Sequence, residues 1–248
     1  MNQKGRNPAP NQLKQIVDFK ANPGNPSFFL PPVFGIMKIG SVELLNIDCM
    51  EYMKTVPDKH FDLAIVDPPY GIGANKMTLG NGKKKVFRGS NDWDAEIPKP
   101  EYFTELKRVS NNQVIWGGNY MTEFLTPTSA WLFWDKGTGD NDFADGELAW
   151  TSFEGALRKI NKTWVGANAK DEATRFHPTQ KPIYLYKWIL KKYAIEGFKI
   201  LDTHGGSASL GVACIDYKFE AVICEIDKDY YEAAVKRLKN HVAQTVIF

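Results

Sequence analysis

The chain has 248 residues, 43% of them hydrophobic, with 31 basic and 29 acidic side chains and a formal net charge of +2. That length suits one large α/β domain rather than two small ones, and the near-balance of charge excludes a globally basic nucleic-acid binder, so any polyanion surface must be a local patch. Three scattered cysteines, four histidines without metal-ligand spacing and no apolar run of membrane length argue against a disulfide framework, a metal site and a membrane anchor, and lead us to expect a cytoplasmic protein.

Residues 1–36 carry six prolines and little periodicity beyond Leu13–Phe19, the composition of a flexible arm. The apolar stretch Phe28–Met37 is interrupted by Pro31 and Pro32 and lacks the flanks of a secretory signal. Met37 is the expected start of the folded domain, 37–248. From Val42 short apolar runs alternate with amphipathic stretches. Strands are expected over 42–47, 61–66, 113–116, 130–134, 199–201 and 221–224, and helices over 49–55, 102–109, 183–194, 209–217 and 230–241. Such alternation implies an open, mostly parallel α/β sheet with helices on both faces.

The strand 61–66 runs straight into Asp67-Pro68-Pro69-Tyr70, with Gly71 and Gly73 beyond. This sets a carboxylate, a stiff carbonyl and an aromatic ring at the carboxyl edge of the sheet, where open α/β sheets bind ligands. The group chemistry suits an exocyclic amine on a flat ring. Asp67 and the Pro68 carbonyl can each accept one N–H bond, and Tyr70 can stack on the ring. Adjacent prolines fix φ, so the carbonyl is aimed before a substrate arrives. The same residues also build ordinary turns, and the tetrapeptide alone leaves both uses open.

Two polar segments break the rhythm. Residues 74–99 contain Lys83, Lys84, Lys85 and Arg88, and residues 151–176 contain Arg158, Lys162 and Arg175 around Trp164. Loops this long inside a compact domain are uncommon and often functional; together, beside the Asp67 site, they favour a polyanion partner.

Further on, the strand 199–201 leads into Asp202-Thr203-His204-Gly205-Gly206-Ser207 and then a helix. Glycines let the backbone approach a ligand, and the helix start offers free N–H groups. The next strand ends at Glu225, placed to accept both hydroxyls of a ribose. The turn lacks a dinucleotide fingerprint and suits a nucleoside better than a pyrophosphate.

With these motifs in hand, the chain from about Lys38 to His241 resembles the DNA adenine-N6 methyltransferases, in the permuted class whose catalytic motif precedes the cofactor motif. Asp67 to Tyr70 is similar to their catalytic motif, and His177-Pro178-Thr179-Gln180-Lys181-Pro182 to the segment before their cofactor loop. Asn46 to Cys49, Trp116 to Tyr120 and Trp134 to Gly137 are similar to further segments. The resemblance implies a Rossmann-like methyltransferase sheet, S-adenosylmethionine as cofactor and double-stranded DNA as substrate. It implies Asp67, Pro68, Pro69 and Tyr70 as the catalytic group. It puts Asp48 on the cofactor's adenine and Thr179, Lys181 and Asp67 beside the cofactor, along with Asp202, His204, Gly205, Gly206, Ser207 and Glu225. Lys83, Lys84, Lys85, Arg88, Arg158, Lys162 and Arg175 fall to DNA. Many members carry an aromatic where this chain has His204, and a glycine where it has Ala208. Asp rather than Ser at 67 favours adenine over cytosine-N4 by resemblance, and the target base must leave the duplex to be reached. A cytosine-N4 or RNA methyltransferase, or a non-catalytic nucleic-acid module, are the competing readings. The small recognition segments fit a short target or a homodimer.

Overall fold

The computed structural model describes residues 35–73, 94–137, 144–161 and 180–245. The strands are β1 (Ile36–Ile39), β2 (Val42–Leu45), β3 (Phe61–Val66), β4 (Ser110–Trp116), β5 (Leu132–Asp135), β6 (Gly146–Thr151), β7 (Arg158–Asn161), β8 (Lys199–Asp202) and β9 (Glu220–Cys224). The helices are α1 (Cys49–Thr55), α2 (Pro100–Val109), α3 (Ile183–Tyr193), α4 (Ser209–Tyr217) and α5 (Lys228–Thr245).

All nine strands join one sheet in the order β1-β2-β9-β8-β3-β4-β6-β5-β7. Only β1 and β6 run against the rest among the described residues, so the mostly parallel sheet expected from the alternation is what forms. β3 is central. Its Leu63 and Ile65 enter one core and its Ala64 and Val66 the other, as a strand covered on both faces must.

Local sequence explains the helices that flank it. Asp48 caps α1, its Oδ1 accepting from the Met50 N–H at 2.7 Å, and Pro100 opens α2 where a missing N–H costs nothing. α2 buries Tyr102, Phe103, Leu106 and Val109, one apolar stripe at helical spacing. α4 is buried from Ser209 through Cys214, because it is wedged against both α3 and α5.

From β3 the chain crosses through α2 to β4 on one side, and from β8 through α4 to β9 on the other. α2 and α4 belong to different cores and so cover opposite faces. The strand order therefore reverses between β3 and β8, opening a crevice at their carboxyl ends. Asp67 follows one of these strands and the glycine turn follows the other.

The expectation of a continuous basic loop over 151–176 is corrected. Thr151 ends β6, and Arg158–Asn161 is β7, an edge strand pairing with β5. β7 buries only Ile160; edge strands carry charges on their open side, which hides them from a hydrophobic pattern. β1 and β6 were also unforeseen. No helix among the described residues is long and apolar enough to cross a membrane.

Candidate active site

The turn after β3 is held from outside itself. Asp94, fully buried, accepts the Tyr70 and Gly71 N–H groups on one carboxylate oxygen at 2.6 and 3.1 Å. Its own carbonyl accepts from the Gly73 N–H at 3.1 Å. The Tyr70 ring stacks on Tyr120, centroids 5.2 Å apart and planes 18° from parallel. Gly117, at φ +67°, lies against the ring; a Cβ there would come within 2.6 Å of Tyr70 Cζ. The Tyr70 hydroxyl donates to Asp67 Oδ1 at 2.7 Å.

Asp67 has a second partner. The Lys181 ammonium donates to Asp67 Oδ2 at 2.6 Å and also lies 3.0 Å from the Tyr70 hydroxyl and 3.1 Å from Glu147 Oε2. Glu147, on β6, is bound on its other oxygen by Lys136 at 2.7 Å. Lys181 is 2% exposed and its charge is opposed by that burial, but Asp67 and Glu147 outweigh it and hold the ammonium above its ordinary pKa. The two carboxylates then separate. Burial pushes Glu147 up, yet Lys181 and Lys136 together pull it down to about 2. Burial also pushes Asp67 up, and with one shared ammonium against it and the Glu147 charge reinforcing it, Asp67 stays above its ordinary value. Two carboxyls driven apart this way take different roles.

Across the crevice, Asp202 Oδ1 accepts from the His204 N–H at 3.0 Å, and burial raises its pKa to about 8. Gly205 is also needed for packing, since a Cβ there would sit 2.5 Å from Ile223. Glu225 accepts from the Gly206 N–H at 2.6 Å on one oxygen and the Asp227 N–H at 2.8 Å on the other. Each oxygen keeps a lone pair, and burial brings this carboxyl to about 7. Asn46 locks the strand ends by donating to the Glu225 and Ile226 carbonyls at 2.8 and 3.1 Å.

His204 is neutral, burial having lowered its pKa to about 4. Its Nδ1 is 2.9 Å from Thr203 Oγ1, which is 2.6 Å from the buried Tyr102 hydroxyl. One direction of this chain uses every hydroxyl hydrogen: Tyr102 donates to Thr203, and Thr203 donates to Nδ1. The reverse would strand the Tyr102 hydrogen inside the protein, which buried groups avoid. In that direction the imidazole proton sits on Nε2, the tautomer this chain of bonds favours.

A cavity of about 280 Å³ lies at the crevice, with Asp48, Asp67, Lys181, His204 and Glu225 in its wall. Asp227 adds a further carboxylate, and the only lysine or arginine in the lining among the described residues, Lys181, is committed to Asp67 and Glu147. Such a wall favours a cationic ligand.

Residues 151–236 match the family described as DNA methylase, N6_N4_Mtase. The type II methyltransferase M2.LlaDCHI of Lactococcus lactis subsp. cremoris is 31% identical, over 79% of this chain and 88% of its own length. The chain belongs to the DNA methyltransferases. M2.DpnII of Streptococcus pneumoniae, also a type II methyltransferase, is 21% identical over 79% of this chain and 89% of its own. Among solved structures, the M1.HpyAVI–SAM complex superposes with a TM-score of 0.53 at 20% identity, covering 79% of this chain and 98% of that one. The cytosine-N4-specific PvuII DNA methyltransferase gives 0.51 at 13% identity, covering 85% and 96%. These two share the fold.

In this methyltransferase the cavity wall joins most of the positions singled out in the sequence: Asp48, Asp67, Pro69 and Lys181 with His204, Gly205, Gly206, Ser207 and Glu225. Asp202 is buried behind it, and Pro68 is buried in the turn. Lys181, expected at the cofactor, also binds Asp67. Arg158 begins β7, exposed, four strands along from β3. Thr179, Lys83, Lys84, Lys85, Arg88, Lys162 and Arg175 lie outside the described residues. Glu147, Asp94, Tyr102 and Tyr120 were not foreseen. Only Tyr120 had a signal, as part of the Trp116–Tyr120 segment.

Proposed function

We propose that this DNA methyltransferase moves a methyl group from S-adenosylmethionine to the N6 amine of adenine in double-stranded DNA. The observation that carries this reading is the placement of Asp67 in the wall of an acid-lined cavity at the strand-order reversal. The cavity suits the cofactor on its chemistry: carboxylates for a sulfonium and an ammonium, and Glu225 lone pairs for ribose hydroxyls. Asp48 is assigned to the adenine end and His204 to the methionine end. When bound, S-adenosylmethionine supplies an electrophilic methyl group on a cationic sulfur.

The protein's part is to prepare the nucleophile. The amine lone pair of adenine is delocalised into the ring. Each Asp67 oxygen has one lone pair beyond those used by Tyr70 and Lys181, so Asp67 and the Pro68 carbonyl can hold the two amine hydrogens. That geometry favours a pyramidal nitrogen with its lone pair aimed at the methyl carbon. The N–C bond forms as the C–S bond breaks, the bonding pair goes to sulfur, and the surplus proton leaves nitrogen for Asp67. Positioning and fixed electrostatics supply most of the acceleration. The target nucleotide rotates out of the duplex to reach the crevice, and the Tyr70 face away from Tyr120 is the surface assigned to stack on it.

Lys83, Lys84, Lys85, Arg88, Arg158, Lys162 and Arg175 are assigned to DNA phosphates. Alanines at Lys83, Lys84, Lys85 and Arg88 should flatten the salt dependence of DNA binding; an unchanged slope rejects that assignment. The reaction itself is tested by transferring labelled methyl from S-adenosylmethionine to unmethylated genomic DNA and separating the nucleosides. Label in N6-methyladenosine is expected. Label in N4-methylcytosine would overturn the choice of base and keep the mechanism, and label only in RNA would overturn the substrate.

A further inference from the structure

The buried charge cluster around Lys181 is larger than holding one aspartate requires. A lone ammonium 2.6 Å from Asp67 would form an ordinary ion pair, and an ordinary pair suppresses the basicity of its carboxylate. For a residue that must grip an amine and take up its proton, that is the wrong outcome. The structure contains a correction. Glu147 reaches the same ammonium from β6 at 3.1 Å and is itself anchored by Lys136 at the end of β5. It is not in the cavity wall and belongs to no motif.

We propose that Glu147 is a positioning residue for methyl transfer, drawing the Lys181 charge away from Asp67 so that Asp67 remains a strong acceptor for the substrate amine. Lys181 still orients Asp67, whose two oxygens are fixed by Lys181 and by the Tyr70 hydroxyl. The division of labour follows from counting cations. Glu147 sits between two ammonium groups and stays ionised. Asp67 shares one and keeps its basicity. Lys136 is therefore part of the device, because without it Glu147 would lean wholly on Lys181. The proposal rests on Asp67 being the catalytic carboxylate.

The other groups bearing on Asp67 are few among the described residues: Tyr70 from its own turn, Lys181 from the segment before α3, Glu147 from β6 and Asp202 from β8. Tyr186 of α3 acts on Tyr70. Saturating cofactor holds Asp202 and the ribose-facing Glu225 constant across a titration, leaving Asp67 to set the acid limb of kcat.

The sign of each perturbation is fixed. Burial raises Asp67 most and the Glu147 charge raises it further against Lys181, so Glu147→Gln lowers the Asp67 pKa and frees Lys181 for it. The acid limb of the kcat profile then moves to lower pH by about one unit, with a plateau roughly tenfold lower because the acceptor is weaker. Lys136→Met removes the outer cation, returns the Glu147 charge to the cluster and moves the same limb to higher pH. Methyl transfer is measured at saturating DNA and cofactor from pH 4.5 to 9, with S-adenosylhomocysteine affinity and the melting temperature alongside. Opposite shifts of the two limbs, with affinity retained, support the proposal. Shifts in one direction, or none, overturn it, since a merely structural role would lower kcat without moving the limbs apart. Asp67→Asn separates the two levels: full activity in that variant rejects the assignment of Asp67 itself, whereas its inactivity beside unmoved limbs rejects only the role of Glu147.

Discussion

Replacing Gly117 with alanine would test how closely the active-site tyrosine is held. Gly117 has φ +67°, a conformation costing alanine about 1–2 kcal/mol. The added methyl would also overlap the Tyr70 ring, closer to Cε1 and Cδ1 than its 2.6 Å to Cζ, where an ordinary carbon contact needs about 3.5–4.0 Å. The ring must therefore shift by more than about 1 Å. It has no slack, because Tyr120 stacks on it and its hydroxyl is bonded to Asp67. Overpacking of this kind adds about 1–3 kcal/mol, for a total loss of roughly 2–5 kcal/mol and a fall in melting temperature on the order of 10 °C. Because Asp67 moves with the ring, kcat should drop about 100-fold. S-adenosylhomocysteine affinity should fall less than kcat, since neither Gly117 nor Tyr70 is in the cavity wall and only Asp67 carries the shift to it. Calorimetric melting, single-turnover methyl transfer and isothermal titration give the three readouts. A variant that melts and turns over like the parent would show that the Tyr70 position is not fixed by contact and would refute the reasoning.

Two other predictions concern the cofactor side. Asp202 and Glu225 have folded-state pKa values raised to about 8 and about 7, so the folded protein binds more protons than the unfolded chain between their ordinary range and those values. Their contribution to stability is full below the ordinary carboxylate range and is lost as pH rises through about 7 and 8. The cofactor-free protein should melt progressively lower from pH 5 to 8.5, while Asp202→Asn and Glu225→Gln together flatten the trend; a rising trend in the parent would contradict it. His204→Phe keeps an aromatic ring but removes the Nε2–H donor. It should weaken S-adenosylhomocysteine binding by about tenfold, the worth of one hydrogen bond to a charged group, and equal affinities by titration calorimetry would show the donor is unused.

The parts of the fold that hydrophobicity alone dictates were legible before any coordinates. β3 is apolar at five of its six positions, and α1, β3 and α4 begin and end where periodicity put them. β6 was not legible. Its first residues are Gly146 and Glu147, and the partly buried Glu147 is held there by Lys136 at the end of the neighbouring strand and by the distant Lys181. β7 failed for the opposite reason, having a single buried residue. Lys181 shows the limit most clearly. The motif placed it beside the cofactor, and the cavity does include it, but its partners Asp67 and Glu147 come from strands brought together only by the sheet order. Sequence motifs name the participants; topology decides which charges face one another.

The Asp94 clamp has a further consequence, for how the catalytic turn keeps its shape. Gly73 and Asp94 are joined directly, and the same aspartate holds Tyr70 and Gly71. The turn therefore depends on a residue 24 positions beyond Tyr70. Lengthening a connection between two such fixed points costs only loop-closure entropy, about 0.6 kcal/mol per doubling, whereas losing one carboxylate oxygen would release two backbone N–H groups of the turn at once.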